Sequence, residues 1–220
     1  MHMRWRGVFI IAVLSWFVVA IPHPVTARPD FERRSGWHEG PFVLLGACVL
    51  NTDKDRNLLT GEKFGEDYTI GGSGIFGWNI TDAIASELQV RAARVAAIFD
   101  GQDLTQWTVA GNLNARYSFL LPALMQPKVA WLPYIKSGFA FFASAVRGGS
   151  RNESKVATYG TGFDAGVGLE LLIGHPALMI DLGVQEDIIF LEGKKSGPIT
   201  VTASGVDPQL GASLSIGFHW

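Results

Sequence analysis

One cysteine in 220 residues, Cys48, is the first constraint. It excludes an internal disulfide framework and any zinc site built from several cysteines. Charge is scarce as well. Asp, Glu, Lys and Arg supply 17% of the chain, the formal net charge is −2, and no basic stripe stands out, so nucleic acid is not an expected partner. Histidine is nearly absent after residue 27, where only His38, His175 and His219 remain. No apolar run after that point approaches the ~20 residues of a membrane-spanning helix. What the chain does hold is 26 Gly, 14 Phe, 7 Trp and 4 Tyr in a sequence that is 48% hydrophobic. That is too much order-promoting side chain for a disordered protein. It suffices for one domain with a sizeable core, or at most two small ones. Glycine and aromatics together point to β-structure.

The N-terminus reads as an address. Arg4 and Arg6 precede an apolar run from Gly7 to Ile21, followed by Pro22, Pro24 and Val25-Thr26-Ala27. A basic start, a short apolar stretch and a small-residue cleavage site are the three parts of a secretory signal. Residues 1–27 are therefore expected to be a cleaved signal peptide and 28–220 the mature domain. Leu45-Gly46-Ala47-Cys48 looks like a lipoprotein box, but Asp30, Glu32, Arg33, Arg34 and Glu39 separate it from the apolar run. Cys48 is read as a small apolar residue in the first strand.

From residue 42 onward the dominant period is two. In the last segment Leu210, Ala212, Leu214, Ile216, Phe218 and Trp220 alternate with Gly211, Ser213, Ser215, Gly217 and His219. Successive strand side chains point to opposite faces, so this is one apolar face and one thin polar face. The same alternation recurs over 68–80, 84–92, 107–121, 135–143, 163–171 and 178–184. Phe42–Asn51 makes an eighth strand whose two faces are too alike to assign. Residues 83–97 also contain fair helix formers, but their alternation favours a strand. Tight turns over Asn79–Asp82 and Ile173–Pro176 and an intermediate link Pro122–Lys128 alternate with longer polar links over 52–66, 146–157 and 192–208, with 98–104 a shorter member of that set. Short and long links in alternation give an up-and-down meander of eight antiparallel strands.

Which face is inside decides between a soluble and a membrane barrel. In a lipocalin-like barrel the apolar face is the interior. In an outer-membrane barrel it meets lipid and the lumen is polar. None of the apolar faces assigned above carries a charge, and a basic residue near the bilayer midplane would cost ~2–4 kcal/mol. The opposite faces combine Gly and Ala with Glu87, Arg91, Arg116, Lys136, Asp164, Glu170 and Asp181. Small residues beside charges of both signs suit a narrow lumen that side chains must fill. These seven residues are expected to form a mutually paired polar plug, three positive against four negative. Tyr68, Trp78, Trp107, Tyr117, Phe119, Trp131, Tyr134 and Trp220 are expected in aromatic girdles at the two interfaces.

The C-terminal Leu214-Ser215-Ile216-Gly217-Phe218-His219-Trp220 resembles the terminal strand by which the outer-membrane assembly machinery recognises its substrates, with Trp in place of the commoner final Phe. Phe76–Arg91 and Pro133–Phe142 are similar to the strand–turn–strand and Pro-Tyr-strand patterns of small eight-stranded outer-membrane proteins. His38-Glu39-Gly40-Pro41-Phe42 resembles the entry to the first strand in the OmpW-like branch. The likeness to OmpA transmembrane-domain-like and OmpW-like barrels covers nearly all of the mature chain. It implies a Gram-negative outer membrane, contact with outer-membrane lipids and lipopolysaccharide, and handling by the secretion and barrel-assembly machinery. Leu214, Ile216, Phe218 and Trp220 would be the assembly signal. No soluble partner is indicated.

Chemistry is sparse. Some eight-stranded outer-membrane barrels modify lipid A with a Ser or His and an acidic partner, but none of the three His stands at the outer rim of a strand. Asp53, Asp55 and Glu66 match no EF-hand spacing. Gly71–Gly74 leads into a strand and not into a phosphate-binding helix. No catalytic residue, metal ligand set or cofactor is expected. The expected role is structural or surface-binding. A passive channel for small or hydrophobic solutes is the first alternative, and a lipid-A-modifying enzyme the second.

Overall fold

The computed structural model describes residues 38–51, 68–99, 102–125, 129–148, 156–174, 177–194 and 205–220. The expected signal peptide and the long-link residues 52–66 with Asp53, Asp55 and Glu66 lie outside them, as does His175. Eight strands follow in order: β1 (Gly40–Asn51), β2 (Tyr68–Asn79), β3 (Ile84–Phe99), β4 (Gln102–Ser118), β5 (Val129–Gly148), β6 (Val156–Ile173), β7 (Ala177–Lys194) and β8 (Gly205–His219). Each pairs antiparallel with its chain neighbours, and β8 returns to β1 to close the barrel. The seam runs from Phe42 opposite His219 to Leu50 opposite Gly211. Closure leaves no unpaired strand edge, the condition a sheet must meet in lipid.

The tight connections gather with the two ends of the barrel chain at one rim, called the terminal rim below. In the β2–β3 turn the Ile80 and Thr81 amides both donate to the Ile84 carbonyl. The Thr81 hydroxyl accepts from the Ala83 and Ile84 amides, a side-chain turn that needs no glycine. The β6–β7 turn uses Gly174 at φ 79°, a conformation L side chains rarely adopt. Between β4 and β5 lies a 3₁₀ turn, Pro122–Leu124.

Two expectations about the strands change. The link 98–104 is no long loop, because Phe99 pairs with Gln102 and only two residues connect β3 to β4. β4 also ends at Ser118, so Phe119 and Leu121 lie past it. Several strands outrun the apolar alternation: β5 spans 20 residues and β6 and β7 span 18 each. The backbone ladder continues where both faces take the same character, polar or apolar, and period two is then invisible in the sequence.

The faces of β1 are now assigned. Phe42, Leu44, Cys48 and Leu50 point inward and are buried, while Val43, Leu45 and Val49 point outward. Inside, an apolar cluster of Phe42, Leu44, Ile75, Ala85, Ala130, Leu132, Leu172 and Met179 fills the terminal end. Two smaller clusters, Ala110–Ala140–Phe142–Ile189 and Cys48–Leu50–Ala93, stand nearer the opposite rim. The polar residues occupy the layer between.

Candidate functional site

On the outside, the described residues at every second strand position are apolar or small with few exceptions. Leu45 is 67% exposed, Ile70 77% and Phe218 58%, values no water-facing sheet sustains over a whole circumference. Leaving each such side chain in water instead of burying it forgoes about 1.5–3 kcal/mol. Among outward side chains that are described, only two are charged, Arg94 on β3 and Glu186 on β7. Arg94 is the eleventh residue of its strand and Glu186 the tenth of its own, counted from the terminal rim. A strand needs ~9–11 residues to cross a bilayer obliquely, so both charges stand at the far margin of the belt. Arg94 lies over the Trp107 ring at 5.7 Å.

All seven residues expected in the lumen are buried inside the barrel. Four of them form one cluster. Lys136 Nζ on β5 donates to Glu87 Oε1 on β3 at 2.9 Å, and to Gln89 Oε1 at 2.9 Å. Arg116 on β4 pairs with Glu170 on β6 at 2.8 Å and approaches Glu87 at 3.6 Å. Asn114 donates to Glu87 at 3.3 Å, and Arg116 donates to Asn79 at 3.3 Å. The Arg116 guanidinium also lies between two rings, 4.8 Å from Phe42 and 5.1 Å from Tyr134. Tyr134 is therefore no girdle residue. It is 2% exposed and faces inward, because Ala130, Leu132 and Tyr134 share the inner face while Trp131 takes the outer one.

Arg91 belongs to a second cluster, with a partner the alternation did not include. It pairs with Asp187 on β7, and also donates to Asn112 Oδ1 at 3.0 Å. Asn112 and Gln185 donate to the other Asp187 oxygen at 3.2 and 2.9 Å. The remaining two residues are not brought into pairs. Among the described residues neither Asp164 nor Asp181 forms an ion pair, although both are buried. Register explains this: Asp164 stands opposite Asp187, and Asp181 opposite Glu170, so the β6–β7 wall presents carboxylates to carboxylates. The expected balance of three positive and four negative charges thus becomes three against five. His38, two residues before β1, joins the first cluster through Glu170, with Nε2 2.7 Å from Oε1.

Two glycines make room for the rings. A Cβ at Gly77 would run into the Phe42 ring, and one at Gly168 into Tyr134. The far ends of both rings reach the wall at these positions, and Arg116 stacks on each ring.

Leu214, Ile216, Phe218 and Trp220 all point outward, each more than half exposed. The Trp220 amide donates to the Pro41 carbonyl at 3.2 Å, so the last residue still bonds to the closing strand. Cys48 is buried, with its thiol donating to the Gly72 carbonyl at 3.4 Å. Among the described residues no group of three His, Cys, Asp or Glu is placed to hold a metal ion.

No protein-family model matches the chain, and no curated protein matches it. Solved structures do. The barrel is similar to the outer membrane protein OprG from Pseudomonas aeruginosa, at 16% identity and a TM-score of 0.53, over 83% of this chain and 98% of that one. It is also similar to Ail, the attachment invasion locus protein of Yersinia pestis, crystallised with the heparin analogue sucrose octasulfate. That likeness has 10% identity and a TM-score of 0.50, over 82% of this chain and 98% of the other. The shared feature is the fold, a small closed antiparallel barrel.

Proposed function

We propose that this chain is an integral outer-membrane barrel with a structural or surface-binding role, whose lumen is closed by its own side chains. The observation that carries the reading is the inversion of faces. The outward face is apolar with charge only at its far margin, while eight charged residues of the strands are buried inside. A bilayer asks for that arrangement and water does not. One solved neighbour, OprG, bears the name of an outer membrane protein, which supports the location.

In this reading the terminal rim is periplasmic, and the links 52–67, 100–101, 149–155 and 195–204 belong to the cell exterior, as an even strand number requires. The lipid contacts are outer-membrane phospholipid and lipopolysaccharide. The Ail structure holds a polysulfated sugar, which makes polyanionic glycans a reasonable class to test against the exterior links. Residues 1–27 act as the export signal, and Leu214, Ile216, Phe218 and Trp220 address the strand to the assembly machinery. No catalytic role is assigned to the interior: Glu87, Glu170 and Asp187 are each held by a base, and no nucleophile–base pair stands beside them among the described residues.

Membrane extraction tests the reading. The mature protein should stay in the membrane pellet through alkaline carbonate and urea and leave it only with detergent. Release without detergent would overturn the assignment.

A further inference from the structure

His38 is 2% exposed although it precedes the first strand. Its backbone amide donates to Asp82 Oδ1 at 3.0 Å, and its Nδ1 lies 3.0 Å from the Asp82 carbonyl oxygen, both in the β2–β3 turn. Its Nε2 reaches Glu170 on β6. In the closed order β1 to β8, β6 is three strands from β3 and four from β2, on the far wall of the barrel. One imidazole therefore bridges the terminal mouth from wall to wall, with the His219 ring of β8 at 5.5 Å beside it.

Both nitrogens of that ring face oxygens that only accept. One is a backbone carbonyl. The other is a carboxylate whose second oxygen pairs with Arg116 at 2.8 Å. A neutral imidazole has one donor and one acceptor nitrogen, and the acceptor would then point its lone pair at an oxygen. A ring that donates from both sides is an imidazolium. The titratable and charged groups facing it are Asp82 from the β2–β3 turn, Glu170 from β6 and His219 from β8. Arg116 from β4 and Asp181 from β7 stand behind Glu170.

We infer that His38 is a doubly donating crossbar that straps the terminal mouth of the bore shut. The inference rests on the closed-lumen reading above. Release leaves Glu170 with Arg116 alone, a half-paired carboxylate beside the apolar cluster of Phe42, Leu132 and Met179. An unsatisfied charge there draws water into the mouth. The strap is thus a leak control built into the terminal mouth.

Two measurements on the refolded mature protein test it. The first is ¹⁵N NMR of the histidine rings in lipid nanodiscs at neutral pH, where both His38 nitrogens should carry protons. A bare nitrogen would overturn the inference. The second is planar-bilayer recording. Native protein should stay closed with rare openings, and His38→Phe should raise the opening frequency about ten- to a hundredfold, equivalent to about 1.4–2.8 kcal/mol. His38→Arg, which keeps donors on a long side chain, should open less often than His38→Phe. His38→Phe as closed as native protein would also overturn the strap. Steady conductance by the native protein would instead refute the closed-lumen reading, and the ring NMR would then decide the strap alone.

Discussion

Arg116 on β4 reaches past β5 to Glu170 on β6, 2.8 Å away, with its guanidinium between the rings of Phe42 and Tyr134. This one side chain joins two carboxylates, two aromatic rings and three separate parts of the wall. Removing one partner of a buried ion pair leaves the other charge uncompensated, at about 3–5 kcal/mol. Arg116→Ala is therefore expected to destabilise the barrel by up to about that much, since it leaves Glu87 with Lys136 alone and Glu170 with His38 alone. Arg116→Lys should recover only part, because an ammonium lacks the planar fork that spans both acids. Urea unfolding in detergent micelles, followed by the shift between folded and unfolded bands on unheated gels, checks both.

Gly77 and Gly168 are predicted to tolerate no side chain. Gly77→Ala pushes a methyl into the Phe42 ring and Gly168→Ala one into Tyr134, and overpacking of this kind costs about 1–3 kcal/mol. The pairing of glycine with ring gives the check its control. Phe42→Leu should soften the effect of Gly77→Ala and leave that of Gly168→Ala unchanged. Equal effects in both backgrounds would mean that the rings are not what the glycines accommodate.

The last strand carries a prediction about assembly. Phe218 and Trp220 point outward and make no contribution to the interior clusters, so Phe218→Asn with Trp220 deleted should leave the interior intact on refolding in detergent. In cells the same variant should fail to accumulate in the outer membrane. Normal outer-membrane levels would remove the assembly role from these residues.

Orientation is tested by tags. An epitope inserted after Arg56 or Arg151 should be stained on intact cells, whereas one inserted after Thr81 should be stained only after the outer membrane is opened. The reverse pattern would place the terminal rim outside.

Period two made most of the wall legible before any coordinates, because lipid and a filled lumen impose opposite demands on neighbouring residues. Leu214, Ile216 and Phe218 outside with Ser213, Ser215 and His219 inside illustrate it. The rule blurred where both faces carry the same character. Ala130-Trp131-Leu132 is apolar on both sides, which is how Tyr134 was assigned to the wrong one. Gln185-Glu186-Asp187 is polar on both sides, which ended β7 too early and hid Asp187, although Asp187 has the parity of Asp181. Which charges meet was not legible at all. It depends on the stagger between strands, and stagger sets Asp164 against Asp187 and Glu170 against Asp181. His38 lay before the first strand, where no periodicity assigns a face.

The inversion of faces is the central claim, and site-directed spin labelling along β8 tests it most directly. Single labels from 210 to 218, in a Cys48→Ala background refolded into lipid vesicles, would be probed with oxygen, which partitions into lipid, and with a water-soluble nickel chelate. The account predicts a strict two-residue alternation, with oxygen reaching labels at 210, 212, 214, 216 and 218 and neither reagent reaching those at 213 and 215 readily. Nickel access to the even positions, or no alternation at all, would contradict it.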